Sequence, residues 1–215
     1  PPRSTLFPYT TLFRSPSNAG FAFIIIQHLS PDHKSLMVEL LSKHTQMQVF
    51  QATEQMAIEP NCIYLIPPKK NMTIFQGKLF LVDKNEKQTP NFPIDIFFNS
   101  LAEDQKEKSV AIVLSGTGSD GSRGIRAIKE QAGMVMVQDI ASAKFDGMPK
   151  NAISTGLVDY ILPPYQMPNE LLRYTKHPYT SIVISDFSNQ EDKLSKIFSF
   201  IKNQNGVDFT NYKSS

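Results

Sequence analysis

Between residues 21 and 176, short apolar runs alternate with segments of helical period, and this alternation constrains the fold more than any other feature. FAFIIIQ (21–27), QVFQA (48–52), CIYLIPP (62–68), SVAIVL (109–114), MVMVQ (134–138) and LVDYIL (157–162) read as strands. FAFIII and VAIVL carry no polar alternation, the pattern of strands covered on both faces. SLMVELLSKH (35–44), PIDIFFNSLAEDQKEK (93–108), SRGIRAIKEQ (122–131), MPKNAISTG (148–156) and MPNELLRYTK (167–176) read as helices. Pro93 suits a first helical turn, and Asp95 favours the positive end of that helix's dipole. Gly133 is the expected stop of the helix before it. MTIFQGKLFLVD (72–83) predicts a hairpin about Gln76-Gly77. Strand–helix alternation of this kind predicts an α/β fold: a doubly wound, mostly parallel sheet with helices on both faces.

In such sheets ligands sit beyond the carboxyl ends of strands, where strand order reverses. Polar residues directly after apolar strands therefore carry most weight. There are three such places: Gln27-His28, the loop Ser115–Gly121, and Gln138-Asp139. The loop reads LSGTGSDGSRG, and Gly116, Gly118 and Gly121 spell G-x-G-x-x-G. With a strand before it, a helix after it, and Asp139 about twenty residues on, it fits a dinucleotide-binding turn. Asp120 argues against that, because a carboxylate among the amides meant for a pyrophosphate repels the ligand. A plainer alternative is that Asp120 caps the helix that follows. The third reading joins it to His28: a carboxylate on a glycine-rich loop and an imidazole at a strand end are the orienter and base of a hydrolytic triad. His28, Asp32 and His33 also invite a metal reading, but their spacing does not match a helical pair of ligands, and no metal is expected.

Composition narrows the classes further. The 215 residues carry a net charge of +2, with 40% hydrophobic and 20% charged residues, as in an ordinary globular domain plus a fragment of a second. That charge gives no footprint for nucleic acid or anionic lipid. Cys62 is the single cysteine, so no internal disulfide can form, and its strand-like setting suggests a small buried hydrophobe. FAFIII is too short to span a bilayer, so membrane insertion is not expected.

The two ends read differently. Residues 1–15 show neither period, and TLFPYTTLFRS matches one reading frame of a sequencing-library adapter, so they are expected to be an assembly artefact. A linker is expected at 178–190, after a main domain at 16–177. At 191–215, Leu194, Ile197, Phe198 and Ile201 share one helical face, with too little chain after them to bury it.

The stretches FAFIIIQHLSPDHKSLMVELLSKHT, IYLIPPKKNMTI, FPIDIFFNSLAEDQ, VLSGTGSDGSRGIRAIKEQAG and VQDIASAKFDGMPKNAISTGLVDYILPP, together covering about residues 17–176, resemble the CheB methylesterase domain. They are most similar to CheB–CheR fusions, and 191–215 resembles the start of a CheR-type methyltransferase helical domain. The resemblance implies hydrolysis of glutamate methyl esters, with glutamine deamidation alongside, by a Ser-His-Asp triad without a cofactor. It places the histidine on His28 and the aspartate on Asp120, with loop residues Gly116, Thr117 and Gly118 at the oxyanion. It implies a cytoplasmic protein whose partners are the cytoplasmic domains of methyl-accepting chemoreceptors. S-adenosylmethionine would belong only to the methyltransferase part. The family's nucleophile lies in a G-A-S-x-G-G turn that this sequence lacks, and neither Ser15 nor Ser17 sits in such a turn, so the chain as written is expected to be inactive. A non-catalytic scaffold role is the alternative.

Overall fold

The computed structural model describes residue 13 and residues 20–27, 37–84 and 90–176. His28, Asp32, His33, Ser15, Ser17, the expected linker at 178–190 and the helix expected within 191–215 lie outside the described residues.

Parallel pairing dominates, as the strand–helix alternation requires. β1 (Phe23–Ile25), β2 (Gln48–Gln51) and β4 (Cys62–Leu65) form one parallel sheet in the order β1-β4-β2. β7 (Val110–Val113), β8 (Met134–Gln138) and β9 (Tyr160–Leu162) form a second, in the order β7-β8-β9. The intervening helices are α1 (Met37–Ser42), α2 (Pro93–Gln105), α3 (Gly124–Glu130), α4 (Gly147–Ser154) and α5 (Met167–Lys176). Crossovers through helices are what parallel strands demand.

The middle strands are the deeply buried ones. All four residues of β4 and all five of β8 are buried. The apolar runs FAFIII and VAIVL were expected to be covered on both faces, and they are not. β1 is half-buried throughout, and β7 alternates half-buried with buried residues, because each lies at an outer position of its sheet. Cys62 is buried, as its strand setting suggests.

An antiparallel sheet, β3 (Met56–Ala57), β6 (Lys78–Asp83) and β5 (Lys70–Phe75), adds the expected hairpin. Gln76 and Gly77 both have positive φ, 49° and 69°, the signature of a tight two-residue turn. Asp104 of α2 accepts hydrogen bonds from both turn amides. β3 had no clear sequence signal, being a two-residue ladder that exists through its pairing with β6.

Two helix ends depart from expectation. α2 stops at Gln105, and Lys106–Lys108 tighten into a 3-10 turn. At the end of α3 the left-handed residue is Ala132 (φ 59°), not Gly133. Gly133 is needed for space instead, since a Cβ there would lie 2.3 Å from Ser109 Oγ.

One core unites α2, α3, α4 and the strands, with Tyr64, Met72, Phe97, Phe98, Ile125 and Val137 among its buried members. Contacts divide the chain into two units, Pro1–Arg173 and Tyr174–Ser215, and the fold described here is that of the first. Among the described residues no helix is long and apolar enough to cross a membrane.

Candidate active site

The loop after β7 is braced on both sides along its length. Its first residues lie against the segment that links β8 to α4. Gln138, fully buried at the end of β8, accepts the Ser115 amide on Oε1 (2.8 Å) and donates from Nε2 to Ser142 Oγ (3.1 Å). Ser115 Oγ accepts the Phe145 amide (2.9 Å) and donates to the Phe145 carbonyl (3.2 Å). The Gly116 amide donates to the same carbonyl (2.9 Å), and the Gly116 carbonyl accepts from the Met148 amide (2.8 Å). Parallel pairing of β7 and β8 brings these two strand ends together.

Glycine is required at two points in this loop. A Cβ on Gly116 would lie 2.3 Å from Met148 Sδ, so a bare backbone lets α4 approach. Gly121 has φ +92°, and a Cβ there would press within 3.0 Å of Ile94 on α2. Between them, Thr117, Gly118 and Ser119 are exposed. Asn151 of α4 donates to the Gly118 carbonyl (2.9 Å). The amides of Thr117 and Gly118 donate to no partner among the described residues.

Asp120 is 3% exposed and bound by the start of a different helix from the one it precedes. The amides of Ile94 and Asp95 donate to its two carboxylate oxygens at 3.0 and 2.9 Å. α2 has no side-chain cap of its own, so Asp120 serves as one from across the chain. Asp95 returns the favour to α3, which also lacks a local cap: its Oδ1 accepts the amides of Arg123 (3.1 Å) and Gly124 (2.7 Å). The two buried carboxylates thus exchange helix caps. Burial, and after it the negative charge of Asp120, push the Asp95 carboxyl above its ordinary range, against the pull of the amides it accepts.

These placements bear on the expected site. Asp120 does cap a helix, but α2 rather than α3. Of the three residues expected at the oxyanion, the Gly116 amide is committed to Phe145, which leaves those of Thr117 and Gly118 open to a ligand. Asp139, the ribose-binding candidate of the dinucleotide reading, is bonded instead to the amide and hydroxyl of Ser142. Gln27 lies two residues beyond the end of β1, while His28 lies outside the described residues. Sequence reasoning missed Asp95, Asn151 and Phe145. Asp95 carried one signal, an acid in the first turn behind Pro93; the others had none, because their partners are some thirty residues away.

The described residues thus form an α/β domain with parallel sheets, holding a buried aspartate on a glycine-rich loop with open backbone amides beside it. The CheB methylesterase profile matches residues 9–171, and the chain belongs to that family. A Leptospira interrogans protein provisionally named a protein-glutamate methylesterase/protein-glutamine glutaminase is 30% identical over 154 residues, 71% of this chain and 80% of its own length. An uncharacterized 104.1 kDa protein of Rhodobacter capsulatus is 40% identical over 126 residues, which is 59% of this chain but 13% of that protein. The crystal structure of the Thermotoga maritima CheB methylesterase catalytic domain superposes with a TM-score of 0.69 at 28% identity, covering 77% of this chain and 92% of that one.

Proposed function

We propose that this domain supplies the base, the orienting acid and part of the oxyanion hole for hydrolysis of glutamate methyl esters on the cytoplasmic helices of chemoreceptors. Attack on a receptor glutamine by the same route deamidates it. The observation that carries this reading is Asp120, a buried carboxylate whose two oxygens are each fixed by an α2 amide. An acid held in this way can orient an imidazole without reorganising during the reaction.

In the proposed reaction His28 takes the proton of a serine hydroxyl as its oxygen attacks the ester carbon. The tetrahedral oxyanion lies against the amides of Thr117 and Gly118, each such donor contributing about 3 kcal/mol. Collapse breaks the bond to the methoxy oxygen, and His28 passes the proton to the departing methanol. Water, deprotonated by His28, then frees the carboxylate and regenerates the serine. The serine belongs to a G-A-S-x-G-G turn preceding β1, which is not among these 215 residues. The chemistry calls for no metal or organic cofactor. Residues 191–215 are read as the start of a fused methyltransferase using S-adenosylmethionine, and the protein as cytoplasmic.

The test begins with the genomic DNA upstream of the Pro16 codon. The chain extended with the natural segment is expected to release methanol from methylated receptor fragment, whereas the 215-residue chain is expected to be silent. His28→Ala in the extended chain should lower kcat by at least a thousandfold, and Asp120→Asn by about ten-thousandfold. Hydrolysis that survives His28→Ala rejects His28 as the base. An extended chain that binds receptor without hydrolysing it supports a scaffold role instead.

A further inference from the structure

Asp120 is held from two directions, and Asp95 is the residue common to both. The amides of Ile94 and Asp95 donate to the Asp120 carboxylate, which fixes its side chain. The loop that carries Asp120 runs on into Arg123 and Gly124, whose amides donate to Asp95 Oδ1 at 3.1 and 2.7 Å, which fixes its backbone. These contacts close a ring, from the Asp120 carboxylate to the Asp95 amide, through the Asp95 side chain to Arg123 and Gly124, and back along the loop. Truncating the Asp95 side chain opens the ring while leaving the Asp95 amide and the Asp120 carboxylate in place.

Other contacts press the same two helix starts together. A Cβ on Gly124 would lie 2.6 Å from Phe98 Cβ and 3.1 Å from Asp95 Cα, so α3 begins this close to α2 only because Gly124 is bare. Arg123 sets its guanidinium 5.6 Å from the centre of the ring of Phe92, the residue before α2, within range of a cation–π contact. Such contacts bring the helices near each other but are weakly directional. The hydrogen bonds of Asp95 are the ones that fix how the loop is turned. Asp95 is 6% exposed, so solvent does not readily take over as acceptor.

We propose that Asp95 is a positioning residue for the reaction, setting where the Asp120 carboxylate points by locking the loop that carries it onto the start of α2. This rests on the role of Asp120 as orienting acid proposed above. Asp95 acts through Asp120 and touches no reacting atom. A displaced orienter leaves the base misaligned, and a misplacement of about 1 Å can lower a rate about a hundredfold. The ring needs an acceptor oxygen rather than a charge, so asparagine suffices at this position and alanine does not.

Two measurements test this. Hydrogen exchange by NMR on the 215-residue chain reads the hold on Asp120 without turnover, through the amides at positions 94 and 95. After correction for intrinsic rates, Asp95→Ala is expected to lower protection of that pair about tenfold or more relative to the rest of α2, and Asp95→Asn to keep the ratio within about twofold of the parent. Leu79→Ala, at a fully buried position of β6, is the control for lost stability and should not single out this pair. In the extended chain, Asp95→Ala is expected to lower kcat for ester hydrolysis by about ten- to a hundredfold with KM within about twofold. Asp95→Asn should restore kcat to within about threefold of the parent, and Leu79→Ala should leave it unchanged below its own melting temperature. Unchanged protection at 94 and 95 in Asp95→Ala, an equal loss of it in the Leu79 control, or a lost kcat that Asp95→Asn does not restore overturns the proposal. Loss of protection with kcat intact overturns it too. Silence of the extended chain, or hydrolysis indifferent to Asp120→Asn, rejects the esterase reading instead, and exchange then still decides whether Asp95 fixes Asp120.

Discussion

Asp95 and Asp120 show how two like charges can be kept together in a buried place. Each accepts two backbone amides from the start of a helix, and each helix start gains the cap it lacks. Removing one acceptor leaves buried amide donors without partners, at about 1–3 kcal/mol each. Asp95→Ala is therefore expected to lower the unfolding free energy by about 2–4 kcal/mol in urea titrations. Asp95→Asn retains an oxygen acceptor and should cost less. The pH dependence follows from the direction of the shift. The Asp95 carboxyl lies above its ordinary 3.8 in the folded protein, so over that interval the folded state binds more protons than the unfolded one. Stability contributed by this group is thus full at low pH and declines as pH rises from about 3.8 through the folded value. The melting temperature of the parent should fall relative to that of Asp95→Asn across this window. A difference that is constant with pH would remove the charge from the account.

At the scale of elements, the reaction loop is shaped by what packs against it. α4 reaches it only because Gly116 has no side chain to meet Met148. Gly116→Ala is expected to destabilise by about 1–3 kcal/mol, the usual cost of overpacking. Met148→Ala opens the same space, so the double variant should recover at least 0.5 kcal/mol over the sum of the two single losses, about the threshold for coupled sites. Additive losses would show that the loop yields elsewhere. The elements themselves were largely legible in the sequence. β8, α2 and the Gln76-Gly77 hairpin are written in local patterns of apolar run, helical period and turn chemistry. The cap exchange was not, because a cap is usually sought within its own helix, and here Asp120 and Asp95 are twenty-five residues apart. The loop's G-x-G-x-x-G is similarly ambiguous when read alone. Gly116 makes room for a sulfur and Gly121 for a helix, neither of which the spacing reveals. His28 was legible as a candidate through its place after an apolar strand, and it lies outside the described residues.

At the scale of the whole molecule, core and site share the same elements. Apart from Phe13, every buried hydrophobic residue among those described lies between Leu41 and Leu171. α2 gives Ile94, Phe97 and Phe98 to the core while its first amides hold Asp120. The position of the carboxylate is thereby tied to global folding, because α2 cannot shift without disturbing the core it packs into. Residues up to Arg173 form a contact unit of their own, and α5, which ends it, buries Met167 and Leu171. A chain ending at Lys176 is therefore expected to unfold in one cooperative transition, with a melting temperature within about 2 °C of the 215-residue chain, a shift below 1 kcal/mol for a domain of this size. Ending the chain at Gln166 instead removes both buried residues of α5, and a loss of about 2–5 kcal/mol for each large core side chain is enough to unfold much of the population. Calorimetry on the two truncations separates these outcomes. Equal melting temperatures would mean that α5 contributes nothing to the core that holds Asp120 in place.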